Sequence, residues 1–222
     1  MEAPRYVIFD LDDTLVHSDA VRTTFTRVAA AHDIPASTLT ETLDALPGRP
    51  AREIFEALGL EETTALEATE RFLATLDEHN ATTPPEPYPD ATATLHQLQQ
   101  TGATLVLSTG SSRERAENVL ESQGWRAGFS VILGSDAHSL KGAEHYVSMQ
   151  RATGEQWTER AVTVGDSPQD MRLGAEHGIP VRIGVDRRRN PSALKAAGAT
   201  HVVRTLAEII PIVTRATAPA LG

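Results

Sequence analysis

The chain has 222 residues, of which 40% are hydrophobic and 5% aromatic, so one large domain or a domain with an insert is expected, packed mainly by aliphatic side chains. Its formal net charge of -10 argues against nonspecific binding to nucleic acid and against an anionic membrane surface. The absence of cysteine excludes disulfides, thiolate chemistry and cysteine-based zinc sites. The sequence has neither an unbroken run of about 18 apolar residues nor a basic-then-apolar start, so a cytoplasmic protein is expected.

The first structural signal is a short apolar run that ends in acids. Residues 6–9 are β-branched, aromatic or aliphatic, which predicts a buried strand, and Asp10, Asp12 and Asp13 follow it. Ligands of open α/β sheets bind beyond the carboxyl ends of the strands. Two carboxylates this close repel each other, so a divalent cation such as Mg²⁺ is the simplest partner. Taken alone, this stretch is explained equally well by a metal site and by a solvated acidic turn.

The next part of the sequence has helical periodicity. Apolar spacing predicts helices at residues 20–31, 37–46, 52–58 and 63–76. Residues 82–89 contain four prolines, which is typical of a linker. We therefore expect residues 16–84 to form an inserted, all-helical cap domain without a strand of its own.

From Asp90 onward, strands and helices alternate. The predicted strands are 104–108, 131–133, 161–164, 181–185 and 201–203, and the predicted helices are 90–100, 112–123, 141–152, 168–177, 193–197 and 206–213. Asp90 is expected to cap the first of these helices. Such alternation predicts an α/β fold with a doubly wound parallel sheet, formed by residues 1–15 and 85–222. The insert would then lie over the strand end that carries Asp10.

Polar residues also follow two later strands. Thr109, Gly110 and Ser111 come after the second strand, where unpaired N–H groups of the next helix would face the same region. A plain helix cap explains Thr109 equally well. Asp166 follows the strand at 161–164, and Asp170 lies where a capping box would place it.

Lys141 is one of only two lysines in an arginine-rich chain. An ammonium is a compact point charge, unlike the planar guanidinium of arginine, so a lysine at this place indicates a need for such a charge. The alternative is a solvated lysine at the start of a helix.

Together these residues resemble the motifs of the haloacid dehalogenase-like hydrolases. The stretch from Asp10 to Thr14 is similar to their first motif, DxDx[TV]. Thr109, Lys141 and the stretch from Gly165 to Asp170 resemble the second, third and fourth motifs, in family order. The sequence departs from the frequent Lys-Pro-x-Pro pattern, because Gly142 follows Lys141. The resemblance covers nearly the whole chain and implies a Rossmann-like core with a helical cap, as in the phosphoglycolate phosphatase and β-phosphoglucomutase branch.

The resemblance also implies a reaction. Asp10 would attack phosphorus to form an aspartyl-phosphate, and Asp12 would act as general acid and then general base. The acid at Asp12 argues against carbon–halogen cleavage. The expected reaction is hydrolysis of a small phosphorylated metabolite; the alternatives are a sugar phosphomutase and, from another class, a phosphoacceptor signalling module like a receiver domain.

The remaining roles follow from the same resemblance. Thr109, Gly110, Ser111 and Lys141 would bind the phosphoryl group. The expected Mg²⁺ site consists of Asp10, Asp12 and Asp166, with Asp170 reaching metal-bound water or Lys141. Arg49, in the loop at residues 48–52, would contact the substrate, although a solvated turn is as good an explanation of that loop.

Overall fold

The computed structural model describes residues 5–46, 49–135, 141–154, 157–187 and 190–216. Within these ranges the strands are β1 (Arg5–Phe9), β2 (Ala103–Ser108), β3 (Phe129–Leu133), β4 (Ala161–Gly165), β5 (Val181–Val185) and β6 (His201–Val203). The helices there are α1 (Asp19–Ala30), α2 (Ala36–Ala45), α3 (Ala51–Ala57), α4 (Glu62–Thr82), α5 (Ala91–Gln100), α6 (Arg113–Ser122), α7 (Ala143–Thr153), α8 (Pro168–Glu176), α9 (Pro191–Ala196) and α10 (Ile209–Ala216).

The strands form one parallel sheet with the order β3-β2-β1-β4-β5-β6. The chain winds from β1 to one edge and then returns to fill the other side, so the winding direction reverses beside β1. Ligands of such sheets bind at this reversal, beyond the carboxyl ends of the strands. The predicted doubly wound parallel α/β fold is therefore confirmed, and the crevice lies where β1, β2 and β4 end.

Both faces of the central strand are buried. Val7 and Phe9 pack into one hydrophobic cluster, whereas Ile8 packs into another on the opposite face with Val106 and Trp157. Side chains of a strand alternate between faces, so a continuous apolar run is what a strand covered by helices on both sides requires. This burial keeps β1 rigid up to the acids that follow it.

Helices α1 to α4 lie between β1 and β2 and bury a hydrophobic cluster of their own. The ring centroids of Phe25 and Phe72 are 4.2 Å apart, and those of Phe25 and Phe55 are 5.6 Å apart. The last of these helices was predicted to end at residue 76. That prediction was wrong, because α4 continues to Thr82. No proline or glycine interrupts residues 77–82, and the helix stops only at Thr83, whose backbone is non-helical before Pro84.

Two neighbouring segments connect this helical part to the sheet. The N–H of His17 donates to the Glu86 carbonyl and the N–H of Tyr88 donates to the Leu15 carbonyl, both at 2.9 Å. Val16 and Pro87 form an antiparallel bridge between the two segments. The entry and exit of the helical part are thus hydrogen-bonded to each other.

Asp90 differs from its expected role as a helix cap. It occupies the position before α5, but its side chain makes no capping hydrogen bond. Its carboxylate instead accepts from the N–H of Leu206 at 2.6 Å and from Arg187 at 3.2 Å. Asp90 therefore joins α5 to the distant end of the chain. Among the described helices, none has the length and apolar character needed to cross a membrane.

The cluster between the helices gives a stability prediction. Phe55 is fully buried at its centre, so Phe55→Ala should lower the free energy of unfolding by about 3–5 kcal/mol through lost burial and a residual cavity. Urea unfolding measures this change. Val147→Ala is the control because Val147 is 44% exposed, and it should change the free energy by less than about 1 kcal/mol. Equal effects of the two substitutions would contradict the packing described.

Candidate active site

Three neighbouring strand ends supply the centre of the site. Asp10 follows β1, Thr109 follows β2 and Asp166 follows β4. In the sheet register, Phe9 pairs with Leu107 on one side and Val164 on the other, so these residues emerge at the same level. Carboxylate oxygens of Asp10, Asp166 and Asp170 lie within 4.8 Å of one another, and all three residues are buried.

Thr14 connects two of these loops. Its hydroxyl donates to Oδ2 of Asp10 at 3.2 Å and accepts from the N–H of Asp166 at 3.0 Å. The turn after β1 makes this possible, because the Leu11 carbonyl accepts from Leu15 N–H at 2.9 Å and folds the chain back. The sequence motif includes Thr14, but the pattern alone gave it no role.

Lys141 lies among the acids. Its Nζ donates to Oδ1 of Asp10 at 2.7 Å and to Oδ1 of Asp170 at 2.6 Å. Helix α7 begins at Ala143, so Lys141 belongs to the preceding loop and not to the helix as predicted. Its N–H donates to the hydroxyl of Ser135 at 2.6 Å, and that hydroxyl donates to the Thr109 carbonyl at 3.1 Å. Ser135 thus fixes the lysine relative to the end of β2.

Burial and charge oppose each other at this pair. Burial raises the pKa of Asp10 above its usual range, and Lys141 acts against that rise. Burial would lower the pKa of Lys141, but the charges of Asp10 and Asp170 outweigh it and raise that pKa. The ammonium therefore stays protonated and offsets part of the negative charge in the cluster.

Asp170 has two partners at once. Ser167 and Asp170 form the predicted capping box at the start of α8, with Pro168 in the first turn. Oδ2 of Asp170 accepts from the Ser167 hydroxyl at 2.6 Å, while Oδ1 accepts from Lys141. A Cβ at Gly165 would lie 2.4 Å from Oδ2 of Asp170. The glycine that ends β4 is thus needed to admit this carboxylate.

The turn after β2 offers fewer free N–H groups than the motif suggests. The N–H of Thr109 donates to the Leu133 carbonyl at 2.9 Å and so continues the sheet. The N–H of Ser111 donates to Oγ1 of Thr109 at 3.1 Å. Thr109, Gly110 and Ser111 all line the cavity above Asp10. Ser111 also donates its hydroxyl to Oδ2 of Asp12 at 2.8 Å.

Asp12 is outside the carboxylate group and is held by an arginine. Arg115 donates from Nη1 to Oδ2 at 2.9 Å and from Nη2 to Oδ1 at 2.7 Å. Arg115 was not among the site residues predicted from the sequence. Its position in the helical period indicates burial. Arg115 stands four residues before the buried Val119 and therefore lies on the buried face of α6.

A cavity of about 110 Å³ separates the strand ends from the helical part. Its sheet side consists of Asp10, Asp12, Asp13, Thr109, Gly110, Ser111 and Asp166, and its helical side includes Val21, Arg22, Phe25, Leu43, Leu46, Arg49, Ile54 and Phe72. Arg49 forms an ion pair with Glu53 at 3.0 Å, whereas Arg52 pairs with Glu56 and Glu62. Of these two cations only Arg49 lines the cavity, and Gly48 of the same loop lies outside the described residues.

The comparisons with known proteins agree with this geometry. The family profile described as haloacid dehalogenase-like hydrolase matches residues 7–183. This chain belongs to that family. The match begins within β1 and ends within β5, so it includes the ends of β1, β2 and β4 that supply the site.

Curated relatives carry two different activities in their names. The chain is 28% identical over 188 residues to the tyrosine-protein kinase PtkA of Mycobacterium tuberculosis, covering 80% of this chain and 61% of that protein. It is 29% identical over 192 residues to the phosphoglycolate phosphatase of Rhodospirillum rubrum, covering 80% of this chain and 78% of that protein. The chain thus spans less than two thirds of the length of the kinase relative.

Solved structures show the same fold. A predicted phosphatase from Clostridium acetobutylicum superimposes with a TM-score of 0.81 at 24% identity, covering 96% of this chain and all of that one. At this identity the likeness concerns the fold, including the helical part between the first two strands.

The acids of the site suit a hard divalent cation. Every side-chain ligand that Asp10, Asp166 and Asp170 offer is a carboxylate oxygen, which is the donor type that Mg²⁺ prefers. Asp12 lies outside that group, and Arg115 donates to both of its side-chain oxygens.

A buried histidine supports the lysine loop from behind. Nε2 of His145 lies 3.2 Å from the Gly134 carbonyl, and Nδ1 lies 2.9 Å from the Ser108 hydroxyl. A carbonyl can only accept, so Nε2 carries the proton and Nδ1 accepts from Ser108. Burial, followed by the charge of Lys141, lowers the pKa of His145 from 6.5 to about 4. The ring is therefore neutral in the folded protein at neutral pH.

This neutral ring should make stability depend on pH. The unfolded chain takes up a proton at His145 near pH 6.5, while the folded protein takes it up only near pH 4, so the free energy of unfolding should fall as the pH drops through that window. His145→Gln removes this contribution, so its stability should fall less steeply between pH 6.5 and 4. Urea unfolding across this range measures the slopes, and the exposed His96→Gln serves as the control. Identical slopes for His145→Gln and wild type would show that the ring is not held neutral.

Proposed function

We propose that this protein is a Mg²⁺-dependent phosphatase that hydrolyses a small phosphorylated metabolite through an aspartyl-phosphate on Asp10. One observation carries this proposal: the buried Asp10 carboxylate is bound by Lys141 and faces the same cavity as Thr109 and Gly110. A nucleophile, a cation and hydrogen-bond donors are the groups that phosphoryl transfer needs in one place. Membership of the hydrolase family and the phosphatase name of one relative support the assignment.

The reaction has two balanced halves. An Asp10 oxygen attacks phosphorus, the bond from phosphorus to the leaving oxygen breaks, and Asp12 gives that oxygen a proton. Water then attacks the phosphorus of the acyl phosphate, its proton passes to Asp12, and the bond to Asp10 breaks to release phosphate. Lys141, the Thr109 hydroxyl and the Gly110 N–H offset the charge of the phosphoryl oxygens.

The metal would be held chiefly by Asp10 and Asp166. Asp170 lies in the same group but also binds Lys141 and Ser167. This suits its expected role of reaching metal-bound water or Lys141 instead of the metal itself. Asp12 lies outside this group of carboxylates and accepts hydrogen bonds from Arg115 at both side-chain oxygens, so its part in the metal site stays a prediction. When bound, Mg²⁺ supplies positive charge that offsets the charge of the phosphoryl group.

The helical part, residues 16–84, would act as a cap that selects the substrate. Its wall of the cavity is mostly apolar, with Arg22 and Arg49 as the cations. Arg49 and its partner Glu53 are both partly exposed, and such an ion pair contributes little energy. A substrate anion can therefore compete with Glu53 for Arg49.

Other phosphoryl-transfer reactions use the same residues. A sugar phosphomutase would return the phosphoryl group to its substrate instead of giving it to water, and a signalling phosphoacceptor would keep it. One relative is named a tyrosine-protein kinase, which adds transfer of a phosphoryl group to a protein as a further alternative. The lifetime of the phosphoenzyme and the fate of its phosphoryl group distinguish these reactions from hydrolysis.

Metal removal tests the proposed cofactor. Phosphate release from a panel of phosphate esters should stop after thorough chelation and return on addition of Mg²⁺. Asp166→Asn should raise the Mg²⁺ concentration for half-maximal activity by roughly tenfold or more, because it replaces a charged ligand by a neutral one. The exposed Glu67→Gln is the control and should leave that concentration unchanged. Full turnover by the chelated protein would remove the metal from the mechanism.

Substitutions of the first two acids separate their roles. Asp10→Asn should abolish turnover and acyl-phosphate formation, because the attacking oxygen is lost. Asp12→Asn should still be phosphorylated by 4-nitrophenyl phosphate, whose leaving group needs no proton, and should then accumulate the phosphoenzyme. Acid quenching with a radiolabelled substrate measures this species, and circular dichroism checks the fold. Substantial phosphatase activity of Asp10→Asn would refute the proposed nucleophile.

A further inference from the structure

Arg115 is a buried cation at the edge of the active site. It lies in the first turn of α6, and only 1% of its side chain is exposed. An arginine is rarely buried unless it is paired, because removing its charge from water is costly. Its partner, Asp12, lines the cavity and keeps 20% of its side chain exposed.

The contact has the geometry that fixes a carboxylate. Two N–H groups of Arg115 bind the two oxygens of Asp12 at 2.7 and 2.9 Å, which is the two-pronged arrangement that sets both the place and the plane of the group. The Ser111 hydroxyl adds a third bond, since it donates to Oδ2 of Asp12 and accepts from Nη1 of Arg115 at 2.6 Å. Asp12 is thus held from the protein interior while its exposed part faces the cavity.

Resting on the function proposed above, we propose that Arg115 is a positioning residue for Asp12 and sets its orientation for proton transfer. It acts through Asp12 and does not touch the substrate. The alternative is an ion pair that only fastens α6 to the turn after β1. The two explanations differ in which step of the reaction suffers when Arg115 is changed.

Three variants test the proposal. Arg115→Leu removes all donors at similar bulk, and Arg115→Lys keeps the charge but cannot form two parallel bonds. Arg113→Leu is the matched control, because Arg113 lies on the same helix with 67% of its side chain exposed and pairs with Glu117. Glycerol 2-phosphate has a leaving group that needs a proton, whereas 4-nitrophenyl phosphate does not.

Proton transfer should be the step that fails. Arg115→Leu should lower kcat for glycerol 2-phosphate by roughly 10²-fold with little change in KM, since positioned acid–base catalysis is worth at least that much. With 4-nitrophenyl phosphate the phosphoenzyme should form at near the normal rate and then accumulate. Arg115→Lys should recover only part of kcat, and Arg113→Leu should match wild type. An effect confined to KM would overturn the proposal.

A double-variant cycle separates positioning from fastening. If Arg115 acts through Asp12, then Asp12→Asn with Arg115→Leu should be as slow as Asp12→Asn alone. A further loss that multiplies the two single effects would overturn the proposal and leave a structural ion pair. If Arg115→Leu does not fold, Arg115→Lys decides, because positioning predicts a lower kcat at an unchanged melting temperature. Normal turnover by Asp12→Asn itself would instead refute the proposed function.

Discussion

The contact between the Lys141 ammonium and two buried carboxylates is the interaction on which the site depends. Asp10, Asp166 and Asp170 bring like charges together at the end of a buried sheet, and such a group is costly without positive charge beside it. Lys141 binds two of the three at 2.6 and 2.7 Å. The acids that follow β1 and β4 therefore depend on the position of the loop that carries Lys141.

Side-chain hydroxyls hold these separate loops in register. Thr14 joins the loop after β1 to the loop after β4, and Ser135 joins Lys141 to the end of β2. A hydroxyl can donate one hydrogen bond and accept others at once, so a small side chain can connect two loops without adding charge to a crowded anionic site.

The sequence predicted the parts of the site that depend on position along a strand. Asp10, Thr109 and Asp166 each follow an apolar run, and parallel strands necessarily bring their ends to one edge. Lys141 was indicated by the scarcity of lysine and by the family resemblance, since no local pattern places a loop lysine among acids. Arg115 was missed because a charged residue near a helix start usually faces solvent, and only its tertiary contact with Asp12 explains its burial. Asp90 shows the same limit, because its partner Leu206 is remote in the sequence.

The paired connections at Val16 and Pro87 also bear on how the chain folds. β1 lies at the centre of the sheet, yet its register partners begin at Ala103 on one side and Ala161 on the other. Such non-local pairing slows folding, because a long loop must close first. Helices α1 to α4 have their own hydrophobic cluster, and the segments that enter and leave them pair at Val16 and Pro87. The insert therefore shortens the effective loop between β1 and β2, so its early formation during synthesis should help the central strand find its first neighbour.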